Sequence, residues 1–313
     1  MNLRDYEKWP ATSKSVYESI EIRIPFKPSS ILITGMGGSG IVGDVVRDHL
    51  GNRLPIHVVK DTIVPDWIND KTLTIAISYS GNTAETMCSA LLAHGKGSHV
   101  VGITAGGRML KEFNERGISV ITIPSATAPR FGFPQLLYAA LAVINKSIGI
   151  NEEDIEESIA AQEEALRDKL IAADIGNQLI GRVPYIFVDS RVQGVAIRFK
   201  NDLNENAKTP AIVAAIPEAD HNDIVTLMMN HPVKHILIRA GPNPIIDAVE
   251  TVFNDFLSKL IKIDLKGNGI LAKELYGISL LGVTTLYMAE TLGVDPVRTD
   301  PIDALKKRMG RLC

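Results

Sequence analysis

Cysteine is almost missing from this chain: Cys88 and Cys313 are the only two among 313 residues. Two thiols make no disulfide framework, which suits a reducing cytoplasm. Charge of one sign is missing as well. Thirty-three Lys and Arg against thirty-six Asp and Glu leave a formal net charge of −3, so there is no electrostatic case for a nucleic-acid or membrane partner. No apolar run reaches the roughly 18 residues that a spanning helix needs. The opening MNLRDYEKWP is too polar for a signal peptide. What is there fits a cytoplasmic α/β protein. A hydrophobic fraction of 45% and a charged fraction of 22% are those of a globular chain, and 313 residues give room for two domains.

Short apolar runs alternate with helical patterns. Strands are expected near 31–34, 55–60, 73–77, 100–104 and 119–123, with helices at 2–20, 38–50, 84–94, 106–114 and 131–148. This alternation indicates a parallel sheet covered on both faces, and it places a first domain at 1–150. At Asn151 the composition turns acidic, and NEEDIEESIAAQEEALRDK reads as a solvated helix linking two domains. The alternation then resumes over 151–313. Strands are expected near 185–188, 211–215, 235–239 and 261–264, helices at 191–206, 243–260 and 271–292, and DPIDALKKRM forms a short terminal helix.

The densest chemistry follows the first strand. Ile31 to Ile33 run into Gly35, Gly37, Gly38, Ser39 and Gly40, and a helical pattern begins at Ile41. A strand, a glycine turn and a helix start together make an anion site, because backbone N–H groups come close to an oxyanion at the positive helix end. Gly35, Gly37 and Gly40 also match the dinucleotide fingerprint, with Asp61 at the end of the second strand. The third strand separates the two readings. It ends in Ser78-Tyr79-Ser80-Gly81-Asn82-Thr83, and its hydroxyls at a helix start suit a compact phosphate monoester. The second half shows DSRVQG at the corresponding place, without the glycines.

GMGGSG and SYSGNTAET resemble the phosphate loops of the sugar isomerase (SIS) family. With ITAGGR, PSATAPR, NENAK, PEADHN and the terminal IDALKKR, nearly the whole chain is similar to the bifunctional phosphoglucose/phosphomannose isomerases. The resemblance implies two SIS domains, each a doubly wound, flavodoxin-like parallel sheet flanked by helices. It also implies a cofactor-free, metal-free aldose–ketose isomerase acting on glucose 6-phosphate and mannose 6-phosphate, and a homodimer. Such chemistry needs a base serving C1 and C2, an acid/base at the ring oxygen and positive charge at the enediolate.

By composition alone Glu205 is a helix carboxylate, His221 a loop imidazole, Arg130 a surface guanidinium and Lys306 a helix lysine. The resemblance assigns Glu205 as the base, and His221 as the ring-opening group reaching the neighbouring subunit's site. Lys306 becomes its assistant, and Arg130 a fixed positive charge that cannot deprotonate. Gly37, Gly38, Ser39, Ser78, Ser80 and Thr83 would bind the phosphosugar, and Thr299 would admit the mannose epimer. Pro301 stands where relatives can carry an arginine, which makes phosphoglucose the firmer of the two activities. No two of the other six histidines have convincing metal-ligand spacing except His231 and His235, which flank a proline, and no metal site is expected. Three alternatives compete with the isomerase: a phosphosugar-binding regulator, which would carry a basic DNA-binding domain, a dinucleotide oxidoreductase, and an amino-sugar phosphate synthase, which would carry a glutaminase domain.

Overall fold

The computed structural model describes residues 3–229 and 231–308; Cys313 and the four residues before it lie outside them. The chain divides into two compact units, each discontinuous in sequence. One holds Lys8–Glu152 with the residues from Thr299 onward, and the other Glu153–Arg298 with the residues through Glu7.

Helix α1 (Arg4–Ser19) opens the chain. The first unit then alternates β1 (Ser30–Thr34), α2 (Gly37–Leu50), β2 (Ile56–Val59), β3 (Thr72–Ile77), α3 (Ala84–Gly95), β4 (His99–Thr104), α4 (Gly107–Glu115), β5 (Ser119–Thr122) and α5 (Phe133–Ile148). All five strands are parallel, in the order β2-β1-β3-β4-β5. Every residue of β1 and β3 is buried, which explains why these strands are apolar without alternation. Their few polar groups are paired: Ser30 meets Thr72 at 3.2 Å, Thr74 meets Ser98 at 2.6 Å, and Thr34 meets Ser89 at 2.5 Å. Helix α5 covers the sheet with an unbroken buried run from Phe133 to Ile144.

The second unit contains α6 (Glu152–Arg167), α7 (Lys169–Leu179), β6 (Val183–Asp189), α8 (Gln193–Glu205), β7 (Ile212–Ile216), β8 (Val233–Arg239), α9 (Pro244–Phe256), β9 (Ile261–Asp264) and α10 (Ile270–Leu292). Its four strands are parallel in the order β7-β6-β8-β9. Both sheets thus have the doubly wound arrangement, in which the first strand lies inside the sheet and the chain runs outward on both sides of it. Helix α11 (Asp300–Arg308) belongs to the first unit.

Two expectations are corrected and one helix is added. The acidic segment is no solvated linker, because α6 buries Ile155, Ser158, Ala161, Gln162 and Ala165 in the second unit. Helix α7 was not legible, because Leu170 and Ile171 point outward and Gly176 sits mid-helix. That glycine lets α7 pack closely on α10: a Cβ there would lie 3.3 Å from the Thr284 carbonyl and the Met288 side chain. The other correction concerns long apolar segments. Among the described residues α10 alone is long and apolar enough to cross a membrane, and 78% of its apolar window is buried inside the protein.

The acidic residues of α6 have a structural use. Gly269 precedes α10 and offers no side-chain cap. The Glu157 carboxylate takes its place, accepting the N–H groups of Asn268 at 2.6 Å and Gly269 at 3.0 Å. A carboxylate at a helix N-terminus satisfies open donors and meets the positive end of the dipole. Glu157→Ala is expected to lower unfolding stability by about 1 kcal/mol, the usual worth of such a cap. A urea titration with an unchanged midpoint would show that water replaces the cap without loss.

Candidate functional site

The carboxyl ends of β1 and β3 are the switch point of the first sheet, because the chain leaves them toward opposite edges. Ligands of doubly wound sheets bind in the crevice at such a point. Here it is built from two helix starts. The residue before α2 is Met36, and the one before α3 is Thr83; neither side chain caps its helix. In α2 the Ser39 N–H donates to the Met36 carbonyl at 3.0 Å, and no side chain takes the N–H groups of Gly37 and Gly38 or those that open α3, which suits a bound anion.

The local sequence demands this geometry. A Cβ at Gly40 would lie 2.7 Å from the Gly35 carbonyl oxygen, so the turn after β1 closes only on glycine. Gly81 has φ +64°, and a Cβ there would fall 1.8 Å from the Gly106 carbonyl oxygen. Both loops are thus held as tight backbone walls.

The hydroxyls are arranged in sequence. Ser78, 1% exposed, donates from Oγ to Thr83 Oγ1 at 3.0 Å, leaving the Thr83 hydroxyl proton to face another acceptor. Ser80 Oγ accepts the Asn82 N–H at 3.2 Å and keeps its own proton in the same way. Ser39 Oγ accepts the Tyr79 N–H at 3.3 Å, which ties the two loops together. The structure therefore gathers Gly37, Gly38, Ser39, Ser78, Ser80 and Thr83 at one sheet edge. Asp61 takes no part: it is exposed and accepts the N–H and hydroxyl of its neighbour Thr62 at 2.6 and 3.2 Å.

Arg130 lies in a 3-10 turn, Pro129–Gly132, and is 4% exposed, so the surface reading of this arginine does not hold. Its guanidinium carbon lies 5.5 Å from the Phe131 ring centroid. Two residues that sequence reasoning passed over hold this segment. Tyr79 Oη donates to the Ala126 carbonyl at 3.1 Å and accepts the Ala126 N–H. Trp9 Nε1 donates to the Phe131 carbonyl at 2.9 Å. The available signal was the aromatic ring inside an otherwise small and polar SYSGNT. Thr299 starts α11, its carbonyl accepting from the Ile302 and Asp303 N–H groups, and Lys306 is exposed on that helix.

Glu205 and His221 belong to the second unit. Glu205 is the half-buried last residue of α8; burial lowers the pKa of Arg198, but Asp202, with smaller contributions from Tyr6 and Glu205, raises it overall. Arg198 is 1% exposed and binds Asp202 through Nε at 2.9 Å. The flanking amides brace the helix end: Asn204 donates to the Thr209 carbonyl and Asn206 to Thr285 Oγ1, both at 2.9 Å. His221 ends the 3-10 turn Glu218–His221 and is exposed. Beside it, burial pushes the Asp220 carboxyl upward, opposed by the nearby imidazole.

The second sheet has a switch point of its own, between β6 and β8, and it is already filled. Asp189, the 1% exposed last residue of β6, accepts from Arg191 N at 3.1 Å and from Arg191 Nε at 3.0 and 3.1 Å. A built-in carboxylate explains why DSRVQG stands where the first unit has glycines. Among the described residues no group of three or more His, Cys, Asp or Glu is placed to hold a metal ion.

The SIS domain model matches residues 26–144, and the model described as "Bacterial phospho-glucose isomerase C-terminal SIS domain" matches 169–309. The bifunctional phosphoglucose/phosphomannose isomerase of Pyrobaculum calidifontis is 33% identical over 98% of this chain and 99% of its own length. The chain belongs to this family of SIS isomerases. Its relatives also include the enzyme of the same name from Aquifex aeolicus, 29% identical over 91% of each chain. A D-glucosamine-6-phosphate 4-epimerase from Sulfolobus acidocaldarius is 30% identical over 98% of this chain and 97% of its own. Among solved structures, a hypothetical protein from Thermus thermophilus superposes with a TM-score of 0.77 at 16% identity, covering 98% and 89%. The C-terminal domain of glucosamine-fructose-6-phosphate aminotransferase from Francisella tularensis gives 0.71 at 14%, covering 95% and 97%. These two show a shared fold.

The filled switch point of this SIS protein has a pH signature. Burial raises the Asp189 carboxyl, but the bonds from Arg191 outweigh it and hold the pKa below the ordinary carboxylate value. Its stabilising effect is therefore complete above about pH 4, the unfolded value, and is lost as pH falls through the lower folded value. Unfolding midpoints measured between pH 5 and pH 3 should fall more steeply in the wild type than in Asp189→Asn. Parallel curves would show that the pair contributes nothing.

Proposed function

We propose that the protein interconverts glucose 6-phosphate, and mannose 6-phosphate, with fructose 6-phosphate. The observation that carries this reading is the pair of uncapped helix starts at the β1/β3 switch point, with the hydroxyls of Ser78, Ser80 and Thr83 between them. Open N–H groups and hydroxyl protons suit a compact phosphate, and anchoring it holds the reacting carbons in place. The family membership supplies the reaction type.

In this reading His221, assisted by Lys306, moves a proton at the ring oxygen so that the sugar opens to its free carbonyl. Glu205 then takes the C2 proton as a carboxylate and returns it to C1, passing through a cis-enediolate whose C1 and C2 lie on one face. Arg130 stabilises the negative oxygen; burial suits it to this, because a desolvated guanidinium acts more strongly and cannot deprotonate. Thr299 admits the C2 epimer. No cofactor is consumed, since the electron pair lost at C2 is gained at C1. The working form is a homodimer in which His221 completes the neighbouring subunit's site; its exposed position at the end of a 3-10 turn supports that role.

Glu205→Gln keeps the shape of the base and removes its basicity. It should lower kcat for fructose 6-phosphate formation by roughly two to four orders of magnitude, with KM nearly unchanged. The wild type should exchange the C2 proton of glucose 6-phosphate with deuterated solvent, and the variant should lose exchange and turnover together. Near-normal turnover in the variant would move the base elsewhere. An enzyme working at position 4 instead would form no fructose 6-phosphate in this assay.

Subunit sharing has its own test. Inactive His221→Ala and Glu205→Ala proteins, mixed under conditions that exchange subunits, should regain activity, because one mixed arrangement restores both groups. Heterodimers that form and stay inactive would place both residues in one subunit's site.

A further inference from the structure

A cavity of about 670 Å³ opens at the amino edge of the second sheet, where β6, β8 and β9 begin. The strands are parallel, so this is the edge opposite the carboxyl ends where a doubly wound sheet takes its substrate. Its rim carries Arg182, just before β6, Lys234 on β8 and Lys259, just before β9, together with His231. No aspartate or glutamate lines it among the described residues. Nor, among those residues, does any of the three cations pair with a carboxylate, although Lys234 Nζ donates to the Lys259 carbonyl at 3.4 Å.

The floor is His235. It is 9% exposed and lies in a ring stack with Tyr185, whose centroid is 5.8 Å away, and near Phe253 at 6.3 Å. Its Nε2 is buried and has no hydrogen-bond partner among the described residues. A buried ring nitrogen without a partner costs free energy, and gathered positive charges without a counter-ion repel one another. Both deficits are met by one incoming group: an anion with acceptor oxygens. Burial, with Lys259 and Arg182, pushes the Lys234 ammonium below its ordinary pKa, and burial with Lys234 and His231 does the same to His235. Such depressions mark a field that an anion relieves.

The apolar part of the lining narrows the class. Met228, Met229 and Phe256 are 75%, 69% and 60% exposed, and they stand beside the cations. Inorganic phosphate would leave them wet. A volume of this size falls in the range of pockets that enclose a small organic ligand. We infer that this cavity is a second ligand site, separate from the phosphosugar crevice, for a phosphorylated small molecule with an apolar or aromatic body. Its phosphate sits among Lys234, Lys259 and Arg182 within reach of His235, and its body covers Met229 and Phe256.

The test uses the whole chain with AMP and inorganic phosphate as probes. Isothermal titration should show AMP binding at this site more tightly than inorganic phosphate. Lys259→Gln and Lys234→Gln should each weaken AMP at least tenfold while leaving isomerase turnover without AMP unchanged. The His235 imidazole resonance, assigned with His235→Gln, should shift during the AMP titration, with its pKa rising as the positive field is neutralised. Lys259 is exposed, so its variant decides the matter even if Lys234→Gln fails to fold. Equal AMP affinity in wild type and Lys259→Gln, an unmoved His235 resonance, or AMP binding no tighter than inorganic phosphate would each overturn the assignment.

Discussion

A peptide N–H at the start of a helix has no carbonyl one turn back to bond, and folded proteins ordinarily spend a side chain on it. In α2 and α3 no side chain does so. The two starts stand side by side because β1 and β3 are neighbours in a parallel sheet whose connections run outward in opposite directions. The positive ends of two helices are thereby focused on one crevice. The glycine walls, the Ser78–Thr83 hydroxyl pair and the Ser39–Tyr79 link all follow from keeping that crevice narrow and its donors pointed inward.

The second unit uses the same sheet arrangement for a different end. Asp189 fills its switch point, and Arg191 neutralises the carboxylate, so that edge offers no comparable seat for a phosphate. In this unit the two residues proposed for catalysis lie at helix and turn ends instead. Glu205 closes α8 within the field of the buried Arg198–Asp202 pair, and His221 closes an exposed 3-10 turn. The amino edge of the same sheet gathers cations that pair with no carboxylate among the described residues, around a buried histidine whose Nε2 has no partner among them. Charge that would be a liability in a core is kept at an edge, where a ligand can reach it.

Arg130 shows how a residue type acquires meaning from its surroundings. On the surface a guanidinium is screened by water and salt, but at 4% exposure its field is felt strongly by whatever group lies next to it. The turn that carries it is held by Tyr79 and Trp9, which join distant parts of the sequence to it. Neither bond could be read from a local pattern.

The sequence by itself determined the alternation of strands and helices, because fully buried parallel strands must be apolar runs and covering helices must be periodic. It also determined the two glycine-and-hydroxyl loops, since only glycine tolerates the backbone approach at Gly40 and Gly81, and hydroxyls at a helix start need no tertiary context to be recognised. Tertiary structure alone decided the rest. That α6 is a packed helix whose Glu157 caps α10, that α7 packs on α10, that Arg130 is buried and that the strand ending in Asp189 lies at the second switch point each depend on groups far apart in the chain. The physical reason is common to all four. Burial and electrostatic partnership are properties of what surrounds a side chain, and local periodicity carries no record of it.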